Sequence, residues 1–215
     1  MIKINSVTKK YDTKYVLNDF NLELEKNKIT VVLGESGSGK TTLLNVIAGL
    51  TDYSGEVIGV DKPCSMVFQT DRLIPNLTAE ENLRLICDDD LVLQALDSVN
   101  MLDAKDLYPK SLSAGMKRRI AILRALIVDV KTMFLDEPFV NLDVALKYSL
   151  IERIKNEQKT NPKTVIMVTH DVKEAVLIAD RVVVIKEGKV VLDERCVNKN
   201  TEDKIYGVLL NKTSY

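Results

Sequence analysis

Gly34-Glu35-Ser36-Gly37-Ser38-Gly39-Lys40-Thr41 is the stretch that decides the fold. It fits the pattern G-x-x-x-x-G-K-[ST]. It lies between an apolar run, Ile29-Thr30-Val31-Val32-Leu33, and a helical pattern from Thr41 to Leu50. Gly34, Gly37 and Gly39 permit backbone conformations that a Cβ would block, so successive N–H groups can converge on one anion. The helix that follows turns its positive N-terminal end toward the same point. Lys40 offers a point charge suited to β- and γ-phosphates, and the Thr41 hydroxyl can ligate Mg²⁺. Glu35, Ser36, Ser38 and Thr42 belong to the same phosphate site. The competing reading is a glycine-rich turn of no chemical consequence, and the strand–loop–helix context argues against it. The stretch therefore predicts a nucleoside triphosphate site on an α/β fold.

The 215 residues suit one large α/β domain, or one domain with an inserted subdomain. Thirty Lys+Arg against 31 Asp+Glu leave a net charge of −1, so no basic field points to nucleic acid, and none is expected as a partner. Cys64, Cys87 and Cys196 are scattered and odd in number, which predicts reduced thiols in a cytosolic protein and neither a disulfide frame nor a zinc site. Met1-Ile2-Lys3-Ile4-Asn5 has no apolar leader. No apolar run reaches the roughly 18–20 residues that span a bilayer, so any membrane association is expected to run through a partner.

Phe20, Leu22 and Leu24 alternate with polar residues, which predicts a half-buried antiparallel strand within Ile2–Glu25. Ile29–Leu33 is apolar throughout, as a strand covered on both faces must be. Ser54-Gly55 reads as a break before a strand from Glu56 to Val60, and Ser65–Phe68 as a further strand ending at Gln69. From Thr70 to Val128 the periodicity is helical: Thr78-Ala79-Glu80-Glu81 fits a capping box, Leu91–Val99 a short helix, and a long helix follows Ser113. Strands return at Thr132–Leu135 and Thr164–Thr169. Asp143 caps a helix that buries Leu146, Leu150, Ile151 and Ile154. Val182–Ile185 and Lys189–Leu192 form a hairpin. The expected organisation is a single domain over 1–215. Residues 1–69 and 129–215 make a mostly parallel sheet flanked by helices with an N-terminal antiparallel β part, and 70–128 make an inserted helical subdomain.

In an open parallel sheet, ligands bind beyond the carboxyl ends of the strands. That rule puts Gly34–Thr41, Gln69, Asp136-Glu137 and His170 at one edge. Asp136 is expected to partner Mg²⁺, directly or through its hydration shell. Glu137 points differently, where it can orient or deprotonate the attacking water. His170, the only histidine of the chain, can contact a γ-phosphate. Gln69, with a donor and an acceptor, suits a water or metal shell. Ser113 opens a helix with Ala114 and Gly115. As an ordinary N-cap it needs no ligand, but the same N-terminus is a second anion site. Two phosphate-binding surfaces in one chain are used most simply if two chains share two nucleotides head to tail.

The order of these parts resembles the nucleotide-binding subunit of ATP-binding cassette (ABC) transporters, over about Ile2–Leu192. Gly34–Thr41 matches the family's Walker A loop with its P-loop NTPase core, and Gln69 its Q-loop glutamine. Leu112-Ser113-Ala114-Gly115-Met116 resembles the signature, usually Leu-Ser-Gly-Gly-Gln, with Ala114 and Met116 as departures. Met133-Phe134-Leu135-Asp136 with Glu137 resembles Walker B and its catalytic glutamate, Asn141-Leu142-Asp143 the D-loop, and His170 the switch histidine. Tyr11 stands where the family places an aromatic residue that stacks on adenine. The stretch Val67–Thr78 is similar to importers for nitrate, sulfonates and taurine, and also to lipoprotein- and macrolide-type exporters.

The resemblance implies an ATPase that binds ATP and Mg²⁺ and works as a homodimer or heterodimer. It would sit on the cytoplasmic face of the membrane and drive a permease, with a solute-binding protein engaged through that permease. Glu137, His170 and Lys40 would carry the chemistry. The alternatives are an exporter-type, cell-division or DNA- or ribosome-linked cassette, and a GTPase or small-molecule kinase. Chromosome-maintenance cassettes insert a long coiled coil where this chain has no sustained heptads. The tail Asn211-Lys212-Thr213-Ser214 lacks the aspartate of a guanine-reading Asn-Lys-x-Asp.

Overall fold

Runs of apolar residues without alternation become strands with both faces covered. Ile29–Leu33, Thr132–Asp136 and Thr164–Thr169 are each wholly buried in the computed structural model. It describes residues 1–87, 89–195, 197–198 and 200–210. Cys196 and the tail 211–214 singled out above lie outside the described residues, whereas Cys64 and Cys87 are half-buried thiols.

In chain order the strands are β1 (Ile2–Tyr11), β2 (Lys14–Leu24), β3 (Ile29–Leu33), β4 (Ser54–Ile58), β5 (Cys64–Val67), β6 (Thr132–Asp136), β7 (Thr164–Thr169), β8 (Arg181–Lys186) and β9 (Lys189–Glu194). The helices are α1 (Lys40–Ala48), α2 (Ala79–Arg84), α3 (Asp89–Asp97), α4 (Ala114–Leu126), α5 (Val144–Thr160), α6 (Val172–Ile178) and α7 (Thr201–Leu210). Six strands form one sheet in the order β5-β6-β7-β3-β8-β9, parallel except for the β8–β9 hairpin. The order β2-β1-β4 forms a separate antiparallel sheet. The fold is thus α/β, a mostly parallel sheet flanked by helices with an antiparallel β part, as the sequence leads one to expect.

The period-2 geometry of strands divides the core. Val32, Phe134, Ile166, Val168, Val183 and Ile185 face α1 and the antiparallel sheet, together with Ile2, Leu17, Leu43 and Leu44. Val31, Leu33, Met133, Leu135, Val165, Met167, Val182 and Val184 face the other way. There they meet the apolar sides of α4, α5 and α6. Between β5 and β6 the regular elements are all helical. The capping box at Thr78 forms in both directions, Glu81 N–H to Thr78 Oγ1 at 3.2 Å and Thr78 N–H to Glu81 Oε2 at 2.7 Å. Asp143 accepts from Leu146 N–H at 2.9 Å and so caps α5. Among the described residues no helix is long and apolar enough to cross a membrane.

Two elements, β4 and α3, begin two residues before the sequence pattern places them. Ser54-Gly55 reads as a break, yet both residues belong to β4, where Ser54 pairs with Thr8 of β1. The helix expected at Leu91–Val99 runs Asp89–Asp97 instead. It closes where the Leu96 carbonyl accepts from Val99 and Met101 N–H, with Asn100 at a φ of 55°.

Phe134 is fully buried on the α1 face of β6. Phe134→Ala is expected to lower unfolding free energy by about 3–5 kcal/mol in urea titration. A loss under about 1 kcal/mol would contradict its place in this core.

Candidate active site

Parallel pairing aligns the strand ends. Leu33 of β3 pairs with Thr169 of β7, and Asp136 of β6 with Val168. The loops leaving β3, β6 and β7 therefore emerge together, and a cavity of about 730 Å³ opens above them. Its floor is Ser36, Gly37, Gly39, Lys40, Thr41 and Thr42. Its walls are Tyr11, Lys14 and Val16 on one side and Gln69, Glu137, Val140 and His170 on the other.

The floor is built as an anion cradle. Gly39 takes a φ of 102° at the start of α1, and a Cβ there would come within 3.2 Å of Val16. No side chain caps this helix and its first turn has no acidic residue, so its leading N–H groups are available to a ligand. Lys40 Nζ donates to the carbonyls of Gly34 (2.7 Å) and Glu35 (2.9 Å). Two of its three donors are thus spent on shaping the loop, and one remains for the cavity. Burial holds the Lys40 pKa down, opposed by the charges of Glu137 and Asp136.

Asp136 is buried below the cavity and reached through Thr41, whose hydroxyl donates to Asp136 Oδ1 at 3.1 Å. Burial pushes the Asp136 carboxyl above the usual carboxylate range; the neighbouring Glu137 adds to the rise, while Thr41, Arg118 and Lys40 oppose it. A hydroxyl and an ionised carboxylate in a site that resists negative charge are hard oxygen donors suited to a small divalent cation. Among the described residues no cluster of three or more His, Cys, Asp or Glu could hold a metal alone. Mg²⁺ takes oxygen ligands of this kind and keeps several waters, so a hydroxyl and one carboxylate fit it as the protein's share of its ligands.

Glu137 follows β6 with a φ of 48°, uncommon for a residue with a side chain, and its N–H extends the ladder to Val168 O at 2.9 Å. Its carboxylate accepts from His170 Nδ1–H, at 2.9 and 3.0 Å to the two oxygens. Thr169 Oγ1 lies 3.3 Å from Oε2 while donating to Glu174 at 2.9 Å. The His170 side chain is 67% exposed, so Nε2 is the ring nitrogen available to the cavity. The sequence suggests a γ-phosphate contact for His170; in the structure its partner is Glu137. Tyr11, 47% exposed at the end of β1, lines the cavity with Lys9 Nζ 4.8 Å from its ring centre.

Ser113, Ala114, Gly115 and Asp143 do not line this cavity. Ser113 Oγ accepts from Met116 N–H at 3.2 Å and caps α4. A Cβ on Gly115 would stand 2.9 Å from the Asn141 carbonyl, so this glycine lets α4 pack on the loop before α5. Arg119 donates to Asp143 at 3.2 Å across the same junction. Ser113, Ala114, Asn141, Asp143 and Val144 are exposed there. Glu35 and Ser38 do not line this cavity; they border a smaller recess that shares Lys14, Val16, Ser36 and Gly37 with it, and the Ser38 hydroxyl is buried.

Sequence reasoning missed Lys14, Val16 and Val140. The first two enter by facing Tyr11 across a tight hairpin, in which Tyr11 pairs with Lys14. It missed Thr169, hidden as the last residue of an apolar strand, and Arg118, hidden in the charged run Lys117-Arg118-Arg119. Arg118 is buried and donates to the carbonyls of Phe68 (2.6 Å), Asp136 (2.8 Å) and Pro138 (2.9 Å).

A family model described as ABC transporter matches residues 17–140. The aliphatic sulfonates import ATP-binding protein SsuB 1 of Paracoccus denitrificans (strain Pd 1222) is 37% identical, covering 90% of this chain and 83% of its own length. SsuB of Bacillus cereus (strain ZK / E33L) is 39% identical over 88% of this chain and 83% of its own. Among solved structures, the dimeric post-hydrolysis state of the ATP-binding cassette MJ0796 bound to ADP and Pi superposes with a TM-score of 0.81. It is 29% identical and covers 90% of this chain and 98% of that one.

Because the folded pKa of Asp136 lies above its unfolded value, its contribution to stability is fullest below the unfolded value and is lost as pH rises through the raised one. Asp136→Asn removes that dependence. Thermal melts of ligand-free protein should show wild type gaining on the variant as pH falls from 7 through the carboxylate range. The variant should also lose the extra stabilisation that Mg²⁺ adds to ATP. A constant difference across that range, or an intact Mg²⁺ response, would contradict the assignment.

Proposed function

This chain belongs to the ABC transporter family, as an ATPase of that family, and from that premise we propose that it is the ATP-hydrolysing subunit of an importer for a small solute. The observation that carries the chemistry is the Glu137 carboxylate. It is held by His170 and stands on the cavity wall opposite an amide-lined floor and Lys40.

The N–H groups at the start of α1 and the Lys40 ammonium bind and orient the phosphates. The Tyr11 ring stacks on adenine. Thr41 and Asp136 would hold Mg²⁺, with Gln69 toward its water shell, and the ion would supply neutralisation of phosphate charge. Glu137 orients the attacking water and takes its proton, and His170 Nδ1–H keeps that carboxylate aimed. His170 Nε2 is left to contact the γ-phosphate.

Such catalysis is mainly positioning and electrostatic stabilisation, and a single chain supplies only part of it. The second anion surface, Ser113-Ala114-Gly115, lies beside Asp143 and away from the cavity, with Ser113 and Ala114 exposed and Gly115 half-buried. A second copy would bring its own Ser113–Gly115 over this chain's nucleotide. Integral membrane permease subunits, with a solute-binding protein reached through them, complete the system, and this chain sits at the cytoplasmic face of the membrane. The SsuB relatives and the Val67–Thr78 run support an organosulfonate or a related small anion as the solute.

Glu137→Gln is expected to bind ATP as wild type does and to lower kcat by about 100-fold or more, read as phosphate release from purified protein. Near-normal turnover in that variant would overturn the role of Glu137.

A further inference from the structure

Arg118 lies on the second turn of α4, and its side chain is 4% exposed. A guanidinium keeps its charge in proteins, so its burial is tolerated only with complete pairing. Here every N–H is used. Nε donates to Pro138 O at 2.9 Å. Nη1 donates to Phe68 O at 2.6 Å and to Asp71 Oδ1 at 3.2 Å. Nη2 donates to Asp136 O at 2.8 Å and to Glu137 O at 2.5 Å.

An ion pair for stability alone would need only Asp71. The other four acceptors are main-chain carbonyls, and they belong to the two segments that carry Gln69 and Glu137 into the cavity. Three of them are consecutive, at residues 136–138. For consecutive carbonyls to converge on one planar group the chain must curl, and the left-handed φ of Glu137 lies within that curl. Such a conformation is strained for a residue with a side chain and persists only where the surroundings over-determine it. Arg124 adds a second hold from α4 on the Gln69 segment, donating to Arg72 O at 3.0 Å.

We propose that Arg118 is a positioning residue for hydrolysis: its five-bonded fork fixes the backbone of Glu137 and of the Gln69 loop to α4, so that both move as one body with the Ser113–Gly115 end of that helix. The inference rests on the reading of Glu137 given above. Any shift of α4, whose N-terminus is offered to a second copy's nucleotide, is delivered directly to this chain's own catalytic carboxylate. The amide floor and Lys40 hang from β3 and α1 and make no bond to Arg118; their tie to the 136–138 segment runs through the sheet and through the bond from Thr41 Oγ1 to Asp136 Oδ1. Lysine is no substitute, because a three-donor point charge cannot span the same acceptors.

The test compares Arg118→Lys, Asp71→Asn and Glu137→Gln in the purified chain, measuring kcat, KM, affinity for a fluorescent ATP analogue and melting temperature. Arg118→Lys should lower kcat by about 10–100-fold, the cost of a small misplacement of catalytic groups, with nucleotide affinity within about 3-fold of wild type. Asp71→Asn, which removes the one charged acceptor of the five and leaves the arginine in place, should lower kcat by about 2–5-fold at unchanged affinity. Wild-type kcat in Arg118→Lys, or a kcat loss matched by an equal loss of affinity, overturns the proposal. Should Arg118→Lys fail to fold, Asp71→Asn decides, and wild-type kcat there overturns it. Sustained hydrolysis by Glu137→Gln would instead sink the reading of Glu137, a result distinct from any failure at Arg118.

Discussion

The hydrogen-bonded register of β3, β7 and β6 is the constraint on which the rest depends. Val31, Met167 and Leu135 lie side by side on one face of the sheet, and Val32, Val168 and Asp136 in the next row on the other. A one-residue slip would exchange the two faces of a strand and bring apolar residues into the wrong layer, so burial on both sides fixes the register. With the register fixed, the loop after Leu33, the pair Asp136-Glu137 and the pair Thr169-His170 must leave the sheet at one edge. The bond from Glu137 N–H to Val168 O carries the ladder one residue past β6 and sets where the left-handed turn begins.

That edge concentrates buried or half-buried charge: Lys40, Asp136, Glu137 and Arg118. Its electrostatics suit an anionic ligand. Burial weakens the charge on Lys40 and on Asp136 alike, and each acidic or basic neighbour acts in the expected direction on the other. Only Arg118 is paired completely within the chain. The others keep capacity for ligand: one donor on Lys40, the oxygens of Asp136 beyond Thr41, and the carboxylate of Glu137 beyond His170.

The fold and most of the site were legible because strand–loop–helix punctuation and apolar runs encode local structure directly. The glycine loop, Gln69, Glu137 and His170 came together on the single rule that ligands gather at carboxyl ends of parallel strands. What escaped depends on tertiary context. Arg118 sits between a lysine and another arginine, and nothing local distinguishes the buried one of the three from its neighbours. Lys14 and Val16 reach the cavity through a hairpin register, which a short turn at Asp12-Thr13 signals only faintly. Ser54-Gly55 reads as a break because a glycine inside a strand goes against propensity, yet pairing with β1 overrides it. Ser113 remained two-sided for a physical reason: capping a helix and receiving an anion use the same N–H groups.

Under the proposed function the glycine loop is half of a catalytic site whose other half is the Ser113–Gly115 helix start of a second copy. The most direct measurement mixes two variants, Lys40→Ala, which loses the phosphate charge, and Ser113→Arg, which blocks the second surface. Each should be nearly inactive alone. In a mixed pair one site carries both lesions and the other carries neither, so the account predicts that ATPase activity of the mixture rises far above the sum of the separate rates. A mixture that associates and still shows no more than that sum would contradict it.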